Sequence, residues 1–255
     1  SEKYREDVQV WTKDDKSPVT VADLLHQSMV QQLIADEFPD DGLVAEEPRS
    51  MQTQVTEAAV EASKKFYGRE LRPELPELPE RGQPITWMLD PIDGTKGYLA
   101  GRYYAIALGY FRDGDPYFGA MAVPHAPQHK GKPLNIDNAL AFAIKDKGAW
   151  LGRVTDTGDL TFEPLKTQAD DLSKPYQFAV SLEHGGNLAA MFPEGEVETV
   201  KLDSQAKYLA VAANDLDAYM RKSRGDGGTD VTWDHMPGAL IALEAGARVC
   251  QFDGK

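Results

Sequence analysis

Cysteine is almost absent from this 255-residue chain: Cys250 is the only one. That excludes internal disulfides and thiolate metal clusters, and it fits a reducing cytoplasm. Cys250 itself reads as a small buried residue. No run approaches the ~18 apolar residues of a membrane span, and Ser1-Glu2-Lys3-Tyr4 does not start a secretory leader. Basic residues are in deficit, with 27 Lys and Arg against 41 Asp and Glu, a net charge of −14. So acidic a surface disfavours nucleic-acid polymers and anionic membranes as partners. It does not exclude a small phosphorylated substrate, because bound divalent cations invert the local sign. There is no internal repeat and no low-complexity tract. A hydrophobic fraction of 42% supports a proper core and argues against disorder. The length suits one large domain or two modest ones. The chain opens without Met and stops soon after an apparent strand, so it is read as incompletely represented.

The periodicity predicts a helix over Thr20 to Phe38, with Leu24, Leu25, Met29, Leu33 and Ile34 near helical spacing and Pro39 closing the run. A short strand, Leu43-Val44-Ala45, then delivers Glu46-Glu47, and a second helix is predicted over Val55 to Phe66. Pro73, Pro76, Pro79 and Pro84 space out an extended connector. Ile85 to Leu89 reads as a buried strand ending abruptly on Asp90-Pro91. Tyr104–Phe111 and Tyr117–Val123 form a hairpin around Arg112-Asp113-Gly114-Asp115-Pro116. Two more strands flank Lys147-Gly148, and a polar stretch from Thr155 to Lys174 reads as a boundary. Short strands and helices alternate from Phe178 onward, through Ser204–Ala213 and His235–Ala245 to a last strand at Arg248–Cys250. The expected class is layered α/β or α+β, with an N-terminal α+β domain over 1–163 and a C-terminal α/β domain over 164–255.

Chemistry concentrates in Asp90-Pro91-Ile92-Asp93-Gly94-Thr95. Pro91 stiffens a turn that holds two carboxylates three residues apart, and Gly94-Thr95 add backbone N–H groups and a hydroxyl. Hard oxygen ligands beside an anion-binding backbone suit magnesium and phosphate together. Three other acidic points stand at element ends: Asp23 in the first turn of a helix, Glu46-Glu47 after a strand, and Asp234 in Trp233-Asp234-His235, where it is a natural N-cap. Each alone has a plain explanation as a helix-end or loop carboxylate.

In combination, Asp23, Glu46-Glu47, the Asp90–Thr95 motif and Trp233-Asp234 resemble the lithium-sensitive, magnesium-dependent phosphomonoesterases of the inositol monophosphatase and fructose bisphosphatase type. The resemblance runs from about Thr12 to Cys250. It implies a layered αβαβα sandwich with the site between the two halves. It further implies two or three magnesium ions held by Glu46, Asp90, Asp93, Asp234 and the Ile92 carbonyl. Thr95 would orient the attacking water with Glu46, Asp23 would help activate it, and Gly94 and Thr95 would hold phosphate. Glu47 would stand behind the ligands.

Within that superfamily the details resemble the 3′(2′),5′-bisphosphate nucleotidases. Lys96-Gly97-Tyr98-Leu99 directly follows the motif, and Trp11-Thr12-Lys13 with Ser17-Pro18-Val19-Thr20 is similar to that branch's mobile first loop, which feeds the Asp23 helix. Asp203-Ser204-Gln205-Ala206-Lys207 and Tyr219-Met220-Arg221 are similar to that branch's nucleotide-binding half. The resemblance implies that Lys96, His184, Ser204, Lys207 and Arg221 contact a phosphorylated nucleotide. Plain alternatives stand beside these: an exposed Lys207, an Arg221 paired with any nearby carboxylate, a loop histidine at 184. Met236-Pro237, Asn214 and the Arg224–Gly228 loop depart from the pattern. The expected reaction is removal of the 3′-phosphate of adenosine 3′,5′-bisphosphate and of its sulfated analogue, a link to sulfur assimilation. An inositol monophosphatase of broad specificity and a catalytically silent nucleotide binder are the competing readings. The sequence does not specify an oligomeric state.

Overall fold

The structure is a computed structural model and describes residues 10–13, 17–48, 60–61, 63–65, 68, 70–72, 77–79, 83–126, 128–129, 134–154, 159–168, 175–182, 188–221 and 231–250. His184, the Arg224–Gly228 loop, Pro73, Pro76 and most of the predicted Val55–Phe66 helix lie outside these residues; 60, 61 and 63–65 within that span are helical.

A hairpin of β1 (Val10–Thr12) and β2 (Pro18–Thr20) feeds helix α1 (Val21–Glu37). Thr20 starts the helix through a capping box: its side chain accepts from the Ala22 and Asp23 N–H groups, while Asp23 reaches back to the Thr20 N–H. Seven strands form the main sheet in the order β3 (Gly42–Ala45), β4 (Ile85–Asp93), β5 (Ala105–Arg112), β6 (Asp115–Val123), β7 (Ala139–Ile144), β8 (Gly148–Val154) and β9 (Leu160–Leu165). Only β3 and β4 run parallel; the others are antiparallel neighbours.

Alternation along β4 sets the layers. Leu89 and Trp87 join Ile34 of α1 and Leu43 on one face, while Met88 turns to the main core on the other. Helix α4 (Met236–Glu244) packs on that second face, and α3 (Ala206–Ala212) packs against α4. Ala105, Ala107, Met121, Ala141 and Ala143 there are fully buried. Small residues are required: a Cβ on Gly119 would lie 2.9 Å from the Pro237 carbonyl oxygen, so the helix backbone rests directly on β6. A second, parallel sheet in the order β11 (Val197–Leu202), β10 (Tyr176–Ser181), β12 (Ala218–Tyr219) packs on α3. The described order is therefore helix, sheet, helix pair, sheet, with a 3-10 turn at Leu188–Met191 against β11.

Several expectations are corrected. The strand before the motif does not stop at Asp90; it continues to Asp93, across a register shift against β5 between Asp90 and Asp93. Part of the polar 155–174 stretch is strand β9, whose outward polar residues hid its pairing with β8. The divide expected after Glu163 thus falls inside β9. Residues 248–250 form no strand, and Cys250 is exposed rather than buried. Asp234 does not cap α4. It ends a 3-10 turn (Thr232–Asp234), His235 occupies the cap position, and no side chain caps there.

Candidate active site

The register shift in β4 is what turns the motif inward. Asp90 pairs with Ala107 in the sheet and is 1% exposed. The chain then bends at Gly94, whose φ of +86° is left-handed, and enters the short helix α2 (Thr95–Leu99). A Cβ on Gly94 would stand 3.1 Å from the Ser204 Cβ, so the turn is pressed directly against the 203–205 segment. Gln205 secures that contact: its backbone N–H donates to Asp93 Oδ2 at 2.5 Å. Its side chain bridges the Trp233 carbonyl at 2.9 Å and the Gly238 N–H at 3.1 Å. One residue thus ties the motif, the Asp234 turn and α4 together. Ser204 adopts φ +61° to make the bend, and its hydroxyl accepts from the Ala206 N–H at 3.2 Å.

Asp23 lies fully buried on the other flank. One of its oxygens takes two bonds from Thr20, at 2.8 Å from the N–H and 2.5 Å from the hydroxyl. The other lies 3.3 Å from the Thr95 hydroxyl, which also reaches the Ile92 carbonyl at 3.2 Å. Asp23 is therefore both a helix-start residue and a partner of Thr95. Lys13 places its ammonium 2.8 Å from Glu46 Oε1 and 2.6 Å from Glu47 Oε1. The Glu47 contact is a buried ion pair. Gln27 clamps the Glu47 backbone, donating to its carbonyl at 2.7 Å and accepting from its N–H at 3.1 Å.

This crowding distorts acid–base behaviour. Burial pushes the Asp23 carboxyl up to about 6, against the pull of its Thr20 bonds. Burial, with Glu46 nearby, pushes Glu47 up to about 7. Asp90 is raised well above the ordinary carboxylate range by burial and by Glu46, Asp93 and Asp234 around it. Asp93 rises to about 6 through burial, opposed by Lys207. Burial draws Lys13 down, but Glu46 and Glu47 outweigh it and hold the ammonium above its usual value.

A cavity of about 230 Å³ joins these groups, and Glu46, Asp93, Gly94, Thr95, Lys207 and Asp234 contribute to its wall. Lys96, Ser204, Arg221 and Tyr219 also line it, so the sequence-predicted substrate residues within the described set converge on one space. Asp90 and Asp23 sit behind that wall, fully buried. Lys207 is not an exposed lysine. It is 4% exposed, and its ammonium donates to the Ser204 carbonyl and to the Leu202 carbonyl, the latter at 3.3 Å. It stands 5.3 Å from the Tyr219 ring centre, and burial lowers its pKa to about 8. Lys207 thus braces the strained Ser204 turn as well as facing the cavity. The contacts of Lys13, Gln27 and Gln205 were not read from sequence, although Lys13 and Gln205 lie in segments the resemblance marked: each acts through distant partners.

The donor set fits a hard divalent cation. Among the described residues Asp90 Oδ1 is buried without a hydrogen-bond partner, a costly arrangement that a cation facing it would relieve, and the acidic side chains around it offer oxygens. Among the described residues no three acidic or histidine side chains are already converged as a closed ligand set. Lys13 holds Glu46, and Gln205 holds Asp93.

The model of the inositol monophosphatase family matches residues 1–255. A 3′(2′),5′-bisphosphate nucleotidase of Emericella nidulans is 32% identical over 282 residues, covering 96% of this chain and 80% of that protein. The Schizosaccharomyces pombe protein of the same name is 29% identical over 279 residues, covering 96% and 76%. Among solved structures, Thermotoga maritima IMPase superposes with a TM-score of 0.67 at 21% identity, over all of this chain and 80% of that one.

Proposed function

Because the chain belongs to the inositol monophosphatase family, we propose that it is a magnesium-dependent phosphatase removing the 3′-phosphate of adenosine 3′,5′-bisphosphate. The observation that carries the reading is a single cavity that joins carboxylates to cations. Glu46, Asp93 and Asp234 line it with Gly94 and Thr95, and Ser204, Lys207, Tyr219 and Arg221 complete it. An ester with two phosphates needs this combination: one phosphate at the carboxylates, a second at Lys207 and Arg221, and a planar base beside Tyr219. The relatives named as bisphosphate nucleotidases support the same substrate. The sulfated analogue shares every recognised group and is the second expected substrate.

Glu46, Asp90, Asp93, Asp234 and the Ile92 carbonyl would hold two or three magnesium ions. Bound there, magnesium lowers the pKa of water and neutralises charge on the phosphate. The chain's own residues do the rest. Backbone N–H groups of Gly94 and Thr95 fix a phosphate oxygen. The Thr95 hydroxyl, held between Asp23 and the Ile92 carbonyl, orients the attacking water and passes its proton to Asp23. With a pKa of about 6, Asp23 is an ionised base at neutral pH and releases that proton readily. Water oxygen bonds to phosphorus, the bond to the ribose 3′-oxygen breaks, and that oxygen takes a proton from solvent. Glu47, behind the cavity, sets Glu46 through their shared Lys13. The exposed single thiol of Cys250 suits a reducing compartment, and we place the protein in the cytoplasm. Among the described residues, no helix is long and apolar enough to cross a membrane.

Phosphate release from adenosine 3′,5′-bisphosphate and from inositol 1-phosphate, measured side by side with magnesium, tests the reading. Preference for the nucleotide is expected; preference for the inositol ester would retain the carboxylate site and overturn the nucleotide assignment.

A further inference from the structure

A second cavity, about 550 Å³, opens beside the first, and Asp203 lines both. It lies at the carboxyl ends of the parallel strands β10 and β11, marked by Leu182 and Leu202, the end at which open parallel sheets take ligands. Two cations face it. Arg102 is fixed by Asp203, its Nε donating to Oδ2 at 2.7 Å. Lys201 is exposed and makes no ion pair among the described residues. The apolar part of the wall is built from Tyr103, 3% exposed, and Leu202, 2% exposed. The His129 ring lies 4.9 Å from the Tyr103 ring and widens that surface.

We propose that this cavity is a second ligand site, which takes a small organic phosphate with a planar body. Its phosphate lies between Arg102 and Lys201, and its body rests on Tyr103 and His129. The volume falls in the range of small-molecule pockets, and the cation pair beside an aromatic surface matches an anion carrying a ring. Occupancy bears on the catalytic turn. The Arg102 N–H donates to the Gly97 carbonyl at 2.8 Å, and a Cβ on Gly97 would stand 2.9 Å from the Asp203 Cβ. A ligand that draws on Arg102 therefore presses on the helix that starts at Thr95.

The test uses the full chain labelled with [13C]methyl leucine and titrated with adenosine 5′-monophosphate, then with inorganic phosphate. Leu182 and Leu202 line this cavity and no leucine lines the carboxylate pocket; since their neighbours Ser181 and Asp203 do line it, methyl shifts that survive Ala100→Trp are assigned to the first pocket. Saturable shifts of both are expected with the nucleotide. Lys201→Glu should weaken the binding about tenfold or more, and Ala100→Trp, which fills the cavity, should remove it. Leucine methyls that stay still at millimolar nucleotide, or an affinity unchanged by Lys201→Glu, would overturn the proposal. Inorganic phosphate binding as tightly as the nucleotide would overturn the planar-body assignment. Neither readout depends on turnover, so failure here is distinct from failure of the phosphatase reading, which phosphate release reports.

Discussion

Stripping the protein of divalent cations with a chelator should invert its ordinary response to acid. Asp23 and Glu47 are buried carboxyls whose folded pKa values, about 6 and about 7, lie above their ordinary 3.8 and 4.5. A group raised in this way prefers its protonated form in the fold. Its contribution is fully present below the unfolded pKa and is lost as pH rises through the folded one. Between pH 8 and pH 5 the linkage amounts to about 1.4 kcal/mol for Asp23 and about 2.5 kcal/mol for Glu47. His26 acts in the opposite sense. Burial lowers its pKa from 6.5 to about 4, although it donates to the Pro91 carbonyl. It therefore costs about 2 kcal/mol of stability over the same descent. These three groups together make the metal-stripped protein roughly 2 kcal/mol more stable at pH 5 than at pH 8, a melting difference of about 4–8 °C for a chain of this length, and the raised carboxyls of Asp90 and Asp93 act in the same direction. Glu47→Gln isolates the largest contributor. Its melting temperature, compared with the parent at each pH, should move by about 5–10 °C in relative terms between the two conditions. Thermal unfolding followed by intrinsic fluorescence is sufficient. Parallel pH profiles for parent and variant would refute the claim that Glu47 is a strained buried carboxyl.

Four other outcomes are expected. Asp90→Asn should abolish turnover and weaken the magnesium-induced rise in melting temperature, with an unchanged circular dichroism spectrum; near-normal activity would remove Asp90 from the ligand set. Lys207→Ala should lower kcat/KM for adenosine 3′,5′-bisphosphate by about 100-fold, and that for inositol 1-phosphate far less; equal losses would make Lys207 a brace for Ser204 alone. Since the Lys207 ammonium loses its proton near pH 8 in the free protein, kcat/KM for the bisphosphate should fall above that pH, and a flat profile to pH 9.5 would contradict the assignment. Gly97→Ala places a Cβ 2.5 Å from the Tyr103 carbonyl oxygen and should destabilise the fold by about 1–3 kcal/mol, as read from urea midpoints.

The parts of the site legible in the sequence were those encoded locally. Asp90, Asp93, Gly94 and Thr95 fall within one short motif, and the Thr20–Asp23 capping box is likewise local. The hairpin from Ala105 to Val123 was marked by its own turn residues. What escaped notice depends on contacts between distant segments. Gln205 joins Asp93 to Trp233 across more than a hundred positions of sequence, and Lys13 reaches Glu46 from a hairpin outside the sheet. Strand β9 looked like a boundary because Leu160 to Pro164 are all exposed; its place is set by pairing with β8, not by alternation. Asp234 was taken for a helix cap because Asp commonly caps, whereas Met236-Pro237 begins α4 one residue later and leaves the carboxylate to the cavity.

The central claim is that one cavity holds a scissile 3′-phosphate at the carboxylates while Lys207 and Arg221 keep the 5′-phosphate intact. Phosphorus NMR of adenosine 3′,5′-bisphosphate during turnover with magnesium tests it most directly. The account predicts loss of the 3′ resonance, growth of inorganic phosphate and survival of the 5′ resonance as adenosine 5′-monophosphate. Loss of the 5′ resonance first, or an unchanged spectrum from a preparation that hydrolyses inositol 1-phosphate, would contradict it.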